Sequence, residues 1–180
     1  MAKLPLGVDI DNLIEDLINF SWEASEILLY YSRILKDSEH KNDLIKLKDN
    51  KDPVTLADIK VNELIIQRIN NAYKNCEWNI LSEESSMPNR SFSKEIKEWL
   101  WVLDPLDGTK DFIQGTGNYA MHLALNYNHK PYLGVVLIPE KDELWISNGK
   151  KVWCERSDGS HKVILETVRK EINDMTVVLS

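Results

Sequence analysis

The sequence predicts an α+β fold in which two long helices pack on a mainly antiparallel meander sheet. Three observations carry this. Two amphipathic stretches of helical period occupy the first half of the chain, and a succession of strand patterns joined by short turns fills the second. Between them, five consecutive apolar residues, Trp99 to Leu103, read as a strand buried on both faces. A length of 180 residues suits one domain, here residues 1–180. The formal charge is −7 and the lysines are scattered among acids, which argues against a nucleic acid polymer or an anionic membrane surface as partner. Cys76 and Cys154 are far apart and outside any Cys-x-x-Cys pattern, so they read as reduced structural thiols. No export signal or membrane-spanning run is evident, and the expectation is a soluble cytoplasmic protein.

Taken in order, Val8 to Leu35 places Leu13, Leu17, Ala24, Leu28 and Leu35 at helical spacing. Phe20, Trp22, Tyr30 and Tyr31 in this helix are assigned to core or interface packing. Asp37 to Lys51 is polar and reads as a mobile connection. Pro53-Val54-Thr55-Leu56-Ala57-Asp58 opens a second helix, with Val61, Leu64, Ile65, Ile69 and Ala72 as its buried face. Thr55 and Asp58 fit a capping box in which Asp replaces the usual Glu or Gln. Trp78 to Leu81 is a short strand running into Ser82-Glu83-Glu84-Ser85. Met87 to Ser93 reads as a surface loop, followed by a helical turn near Lys94 to Glu98.

After Phe112, Gly115 and Gly117 end a short helix. Tyr119, Met121, Leu123, Leu125 and Tyr127 then alternate with smaller residues at period two. His122 lies on the small side and is assigned to packing. Strands follow at Tyr132–Ile138, Glu143–Ser147, Lys151–Glu155 and His161–Leu165, with Asn148-Gly149 and Asp158-Gly159 as turns. Met175 to Ser180 resembles the start of a further strand, which suggests a chain cut short.

The chemistry concentrates at Asp104-Pro105-Leu106-Asp107-Gly108-Thr109. Proline cannot donate to a sheet ladder, so the strand is expected to end at Asp104-Pro105. Gly108 tolerates positive φ, and the N–H groups that follow point outward unpaired, a ready site for an anion. Two carboxylates three residues apart at the mouth of this turn repel by about 4 kcal/mol at an effective dielectric near 20, which a divalent cation would relieve. Carboxylates for a hard metal beside amides for a phosphate point to metal-assisted phosphoryl chemistry.

Three blocks in this order, Pro53-Val54-Thr55-Leu56-Ala57-Asp58, Ser82-Glu83-Glu84 and Asp104 to Thr109, resemble the magnesium-dependent, lithium-sensitive phosphatases of the inositol monophosphatase superfamily. Leu106 and Lys110-Asp111-Phe112 are more similar to the bisphosphate nucleotidases acting on 3′-phosphoadenosine 5′-phosphate, or its sulfate, in sulfur metabolism than to the inositol branch. The resemblance implies the amino-terminal domain of a layered αβαβα sugar-phosphatase fold. It also implies Mg²⁺ held by Glu83, Asp104, Asp107 and the carbonyl of Leu106. Asp107, Gly108 and Thr109 would bind the phosphate, the latter two through their N–H groups. Asp58 would accept from the Thr109 hydroxyl, and Thr109 with Glu83 would orient the attacking water.

The sequence departs from that pattern at Asn50, where relatives often carry an acid, and in ending before the carboxyl-terminal domain with its Trp-Asp block. Inositol monophosphatase-like activity and a metal-binding half without turnover are the alternatives. A covalent aspartyl mechanism fits less well, because Pro105-Leu106 separates the acids by two residues instead of one. The implied partner is a small phosphorylated substrate. A homodimer is among the assemblies that an incomplete sheet edge allows.

Overall fold

The structure, a computed structural model, describes residues 4–36, 45–47, 53–85 and 98–165. Helix α1 (Ile10–Lys36) begins where the Asp9 carboxylate accepts from the N–H groups of Asp11 and Asn12, at 3.0 and 3.1 Å. Its stripe Leu13, Leu17, Ala24, Leu28 and Leu35 is buried. Of its aromatic residues Phe20 is in the core, Trp22 and Tyr31 pack against it, and Tyr30 is 59 % exposed with its ring edge-on to Tyr31, centroids 5.2 Å apart.

Two short strands follow, β1 (Ile45–Leu47) and β2 (Pro53–Thr55), paired antiparallel. They correct two expectations. The connection after α1 contains a strand, and the second helix opens at Leu56 instead of Pro53. The cause lies in the cap: Thr55 is extended, with φ −107° and ψ 165°, and this geometry continues backward into a strand. Helix α2 (Leu56–Ala72) buries Val61, Ile65 and Ile69 as expected, while Ala72 faces solvent. It packs on α1, pinned at the rim by Arg68 to Glu23 (2.6 Å) and Tyr73 to Asp16 (2.5 Å).

The remaining strands are β3 (Asn79–Ser82), β4 (Trp99–Asp107), β5 (Ala120–Tyr127), β6 (Lys130–Ile138), β7 (Glu143–Ser147), β8 (Val152–Glu155) and β9 (His161–Leu165). They form one sheet in chain order, with β3 parallel to β4 and every later neighbour antiparallel. Short connections from β5 onward produce the antiparallel meander, while the short helix Thr109–Gln114 lies between β4 and β5. One face carries Trp99, Trp101, Leu103, Met121, Leu123, Leu125, Val135, Leu137 and Ile146, all in one core with the inward sides of α1 and α2. The other face is not sealed to the same degree: Leu100 and Val102 are only half-buried. The two-sided burial expected from the Trp99–Leu103 run is therefore realised on the helix side alone among the described residues. The expectations for Met87–Glu98, Met175–Ser180 and the loop around Asn50 fall on residues outside those described, except Glu98.

Candidate active site at the end of the central strand

The expectation that the strand ends at Asp104-Pro105 is overturned: β4 runs on to Asp107. Asp104 pairs with His122 and Asp107 with Ala120, so two residues of β4, Pro105 and Leu106, stand against Met121 alone. This is a β-bulge, and the bulged position is where a proline without a ladder N–H is tolerated. Its effect on the site is direct. In a regular strand, residues three apart point to opposite faces. The extra residue restores the phase, so Asp104 and Asp107 stand on the same face, the one turned away from the helices.

The parallel pairing of β3 with β4 supplies the third acid. Ser82 lies opposite Leu103, so the next residue, Glu83, comes alongside Asp104 at the start of the 3₁₀ turn Glu83–Ser85. The two carboxyl groups share a hydrogen bond. Burial, then the charges of Glu83 and Asp107, push the Asp104 carboxyl up to about 6.

Behind this pair, α2 presents Asp58. The capping box is complete: the Thr55 hydroxyl accepts from the Ala57 N–H (3.1 Å), and Asp58 Oδ2 accepts from the Thr55 N–H (2.8 Å) and hydroxyl (2.6 Å). Asp58 is only 2 % exposed, and its pKa is raised to about 6, mainly by burial, with the Thr55 hydrogen bonds opposing and Glu84 adding to the rise. Its second oxygen, Oδ1, lies 3.5 Å from the Thr109 hydroxyl, while that hydroxyl donates to the Leu106 carbonyl at 3.1 Å. Rotation of one hydroxyl moves the proton between the two acceptors, and the Leu106 oxygen keeps a second lone pair.

A stability consequence follows for Asp58. Its folded pKa lies above the ordinary 3.8, so the folded state binds the proton more tightly, and stability falls as pH rises from about 4 through about 6. That displacement is worth up to about 3 kcal/mol at about 1.36 kcal/mol per pH unit. The stability of the metal-free chain relative to Asp58→Asn should therefore decline between pH 4 and pH 7 in denaturant titrations. A difference independent of pH would remove the burial argument.

Gly108 joins β4 to the short helix α3 (Thr109–Gln114), with φ +82°. Behind it, the ring of Tyr119 stands edge-on to Phe112 of α3, centroids 4.7 Å apart. The Tyr119 hydroxyl donates to Glu140 at 3.2 Å, and Glu140 also accepts from Ser32 (2.9 Å) and Lys36 (3.4 Å) of α1. The wall behind the turn is thus tied to the long helix. Asp111 takes no part in the acidic group; its carboxylate accepts from the Thr116 hydroxyl at 2.6 Å and closes the loop after α3.

The structure therefore gathers Asp58, Glu83, Asp104, Leu106, Asp107, Gly108 and Thr109 around one strand end. Among the described residues, no group of three or more acidic, histidine or cysteine side chains is drawn together closely enough to hold a metal ion. The donor chemistry nonetheless suits a hard divalent cation, because the carboxyl groups of Glu83 and Asp104 crowd together and a cation between them would relieve the repulsion that raises Asp104. His122 was missed. It is 46 % exposed, with Nε2 3.9 Å from Asp107 Oδ2, and is not a packing residue. The signal was in the alternation of β5: its bulky side is the core side, so the small side carrying His122 had to face elsewhere.

The inositol monophosphatase family model matches residues 9–178. The 3′(2′),5′-bisphosphate nucleotidase CysQ of Shigella flexneri is 33 % identical over 128 residues, 71 % of this chain and 50 % of that protein. Among solved structures, CysQ from Bacteroides thetaiotaomicron superposes with a TM-score of 0.61 at 28 % identity, covering 82 % of this chain and 50 % of the other. The IMPase of Thermotoga maritima has the same fold, with a TM-score of 0.63 at 24 % identity over 79 % of this chain and 51 % of its own. The chain spans about half the length of these relatives. No helix among the described residues is long and apolar enough to cross a membrane. With the family model spanning nearly its whole length, the chain belongs to the inositol monophosphatase family.

Proposed function

We propose that residues 1–180 form the amino-terminal, cation-binding domain of a cytoplasmic phosphomonoesterase that removes the 3′-phosphate of 3′-phosphoadenosine 5′-phosphate or its sulfate. The observation that carries this reading is the bulge in β4, which turns Asp104 and Asp107 to one face beside Glu83 and the Gly108–Thr109 turn. The CysQ relatives and Lys110-Asp111-Phe112 support the substrate class.

Glu83, Asp104, Asp107 and the Leu106 carbonyl would hold Mg²⁺. When bound, the ion stabilises charge on the phosphate oxygens and makes the attacking water more acidic. The chain's own groups do the positioning. Glu83 and the Thr109 hydroxyl orient the water in line with the scissile P–O bond, and Asp58 sets the direction of that hydroxyl. The amides of Gly108 and Thr109 hold the phosphate so that its equatorial oxygens meet fixed donors as charge spreads over them, and Asp107 would act on the phosphate only through the cation it holds. The oxygen of water forms the new bond to phosphorus, the alcohol of the substrate departs, and no covalent enzyme intermediate is formed.

The test presents 3′-phosphoadenosine 5′-phosphate, inositol 1-phosphate and fructose 1,6-bisphosphate separately, with Mg²⁺ and then with added Li⁺. Release is expected to be fastest from the first and to be suppressed by Li⁺. Faster release from inositol 1-phosphate would shift the reading to the inositol branch. Release from none, by this chain and by one extended through the following domain, would sink it. Because the chain spans half of its relatives' length, a cation-binding half without turnover is the second reading. It predicts saturable Mg²⁺ binding without phosphate release by the 180 residues alone.

A further inference from the structure

We propose that His122 supplies a nitrogen ligand to the cation held by Asp107, turning this part of the site from Mg²⁺ toward a transition divalent ion such as Mn²⁺ or Co²⁺. The inference rests on the metal-dependent reading above and concerns which ion that site prefers.

His122 sits on β5 directly opposite Asp104, on the sheet face that the bulge also gives to Asp107. Its flanks in the next strands are Val136 and Trp145, and the indole of Trp145 donates to Glu143 on that same face, so Asp107 at the strand end is the acid in ion-pair range of the imidazole. Nε2 stands 3.9 Å from Asp107 Oδ2, too far for a hydrogen bond. Two donors bound to one ion at about 2.1 Å lie about 3.0 Å apart at right angles and about 4.2 Å apart across it, a range that brackets the observed separation. Both side chains are accessible, 46 % and 61 % exposed, so an ion with its waters can reach them.

The site then has two unlike halves. Glu83 and Asp104 offer oxygen only, which suits Mg²⁺. Asp107 with His122 offers one oxygen and one imidazole, and imidazole favours first-row transition ions over Mg²⁺. Water completes the shell, since these two side chains supply only two protein ligands.

The experiment uses the 180-residue chain, its His122→Asn and Asp107→Asn variants, and metal ions alone as probes. Mn²⁺ binding is read from loss of the free-ion paramagnetic resonance signal, with Mg²⁺ as competitor. The Co²⁺-loaded chain is examined by proton NMR for the far-shifted, exchangeable ring N–H of a coordinated histidine. His122→Asn should weaken Mn²⁺ binding about tenfold or more, the range expected on losing a ligand-shell group, with Mg²⁺ affinity changed far less. It should also erase the shifted N–H. Equal losses for both ions, no loss for either, or a shifted N–H that survives would overturn the inference. If Asp107→Asn abolishes binding while His122→Asn leaves the Mn²⁺ to Mg²⁺ ratio unchanged, this inference fails and the proposed function stands. If the parent chain binds none of the ions, both fail.

Discussion

Asp107→Asn is expected to cut cation-dependent phosphate release by at least about a hundredfold, a barrier increase of about 2.7 kcal/mol, while leaving the fold intact. The side chain is 61 % exposed at the end of β4, and its one ion-pair contact among the described residues is His122 at 3.9 Å. Exposed substitutions of that kind stay within about 0.5 kcal/mol in stability. Removing a negative charge also relieves Asp104, whose carboxyl is pushed up in part by Asp107. The metal-free variant should therefore melt no lower than the parent. The two quantities separate a site residue from a structural one: phosphate release and cation binding should collapse together while thermal unfolding barely moves. Unchanged release would remove Asp107 from the cation site, and a large fall in melting temperature would mean that the residue supports the fold.

Gly108→Ala is expected to be costly in both activity and stability. The backbone at Gly108 has φ +82°, where an alanine costs about 1 kcal/mol. A Cβ there would also lie 2.7 Å from the Asn118 carbonyl oxygen and 3.4 Å from Tyr119 Cα. These are backbone atoms, and the segment cannot easily retreat because Tyr119 is held by Glu140 and Phe112. Overpacking against such a wall adds about 1–3 kcal/mol, and displacing the turn's amides should lower phosphate release about a hundredfold. Gly149→Ala is the control. Its φ is +78°, but its nearest neighbour, the Tyr132 carbonyl, stands 3.5 Å away, an ordinary contact. The control should lose only the conformational cost. Equal losses at the two positions would show that the wall behind Gly108 yields.

Much of the architecture was legible in local pattern. The strands Glu143–Ser147 and His161–Leu165 lie where alternation and the turn pairs placed them, and the capping box of Thr55 and Asp58 is complete. Such features depend on residues a few positions apart, and the period of the side chains reports them. The errors arose where a local rule met a long-range partner. Pro105 reads as a strand end, yet β5 carries the strand past it by a bulge. The short strand Ile45–Leu47 reads as a connection because its partner, Pro53–Thr55, resembles the lead-in to a helix. His122 reads as packing, although the alternation of β5 already puts it on the side away from the core; what the alternation does not reveal is that Asp107 lies beside it.

By itself, the sequence determined the chemistry available: acids at 58, 83, 104 and 107, a glycine able to turn at positive φ, and a hydroxyl beside it. It determined as well that two helices would cover one face of a meander, since amphipathic period and turn residues are local properties. Only the tertiary structure decided which of those groups meet. The bulge phases Asp104 with Asp107, the parallel register sets Glu83 beside Asp104, and the β4–β5 register brings His122 to the same face. Strand register depends on the whole sheet, and a shift of one residue would send each of these side chains to the opposite face.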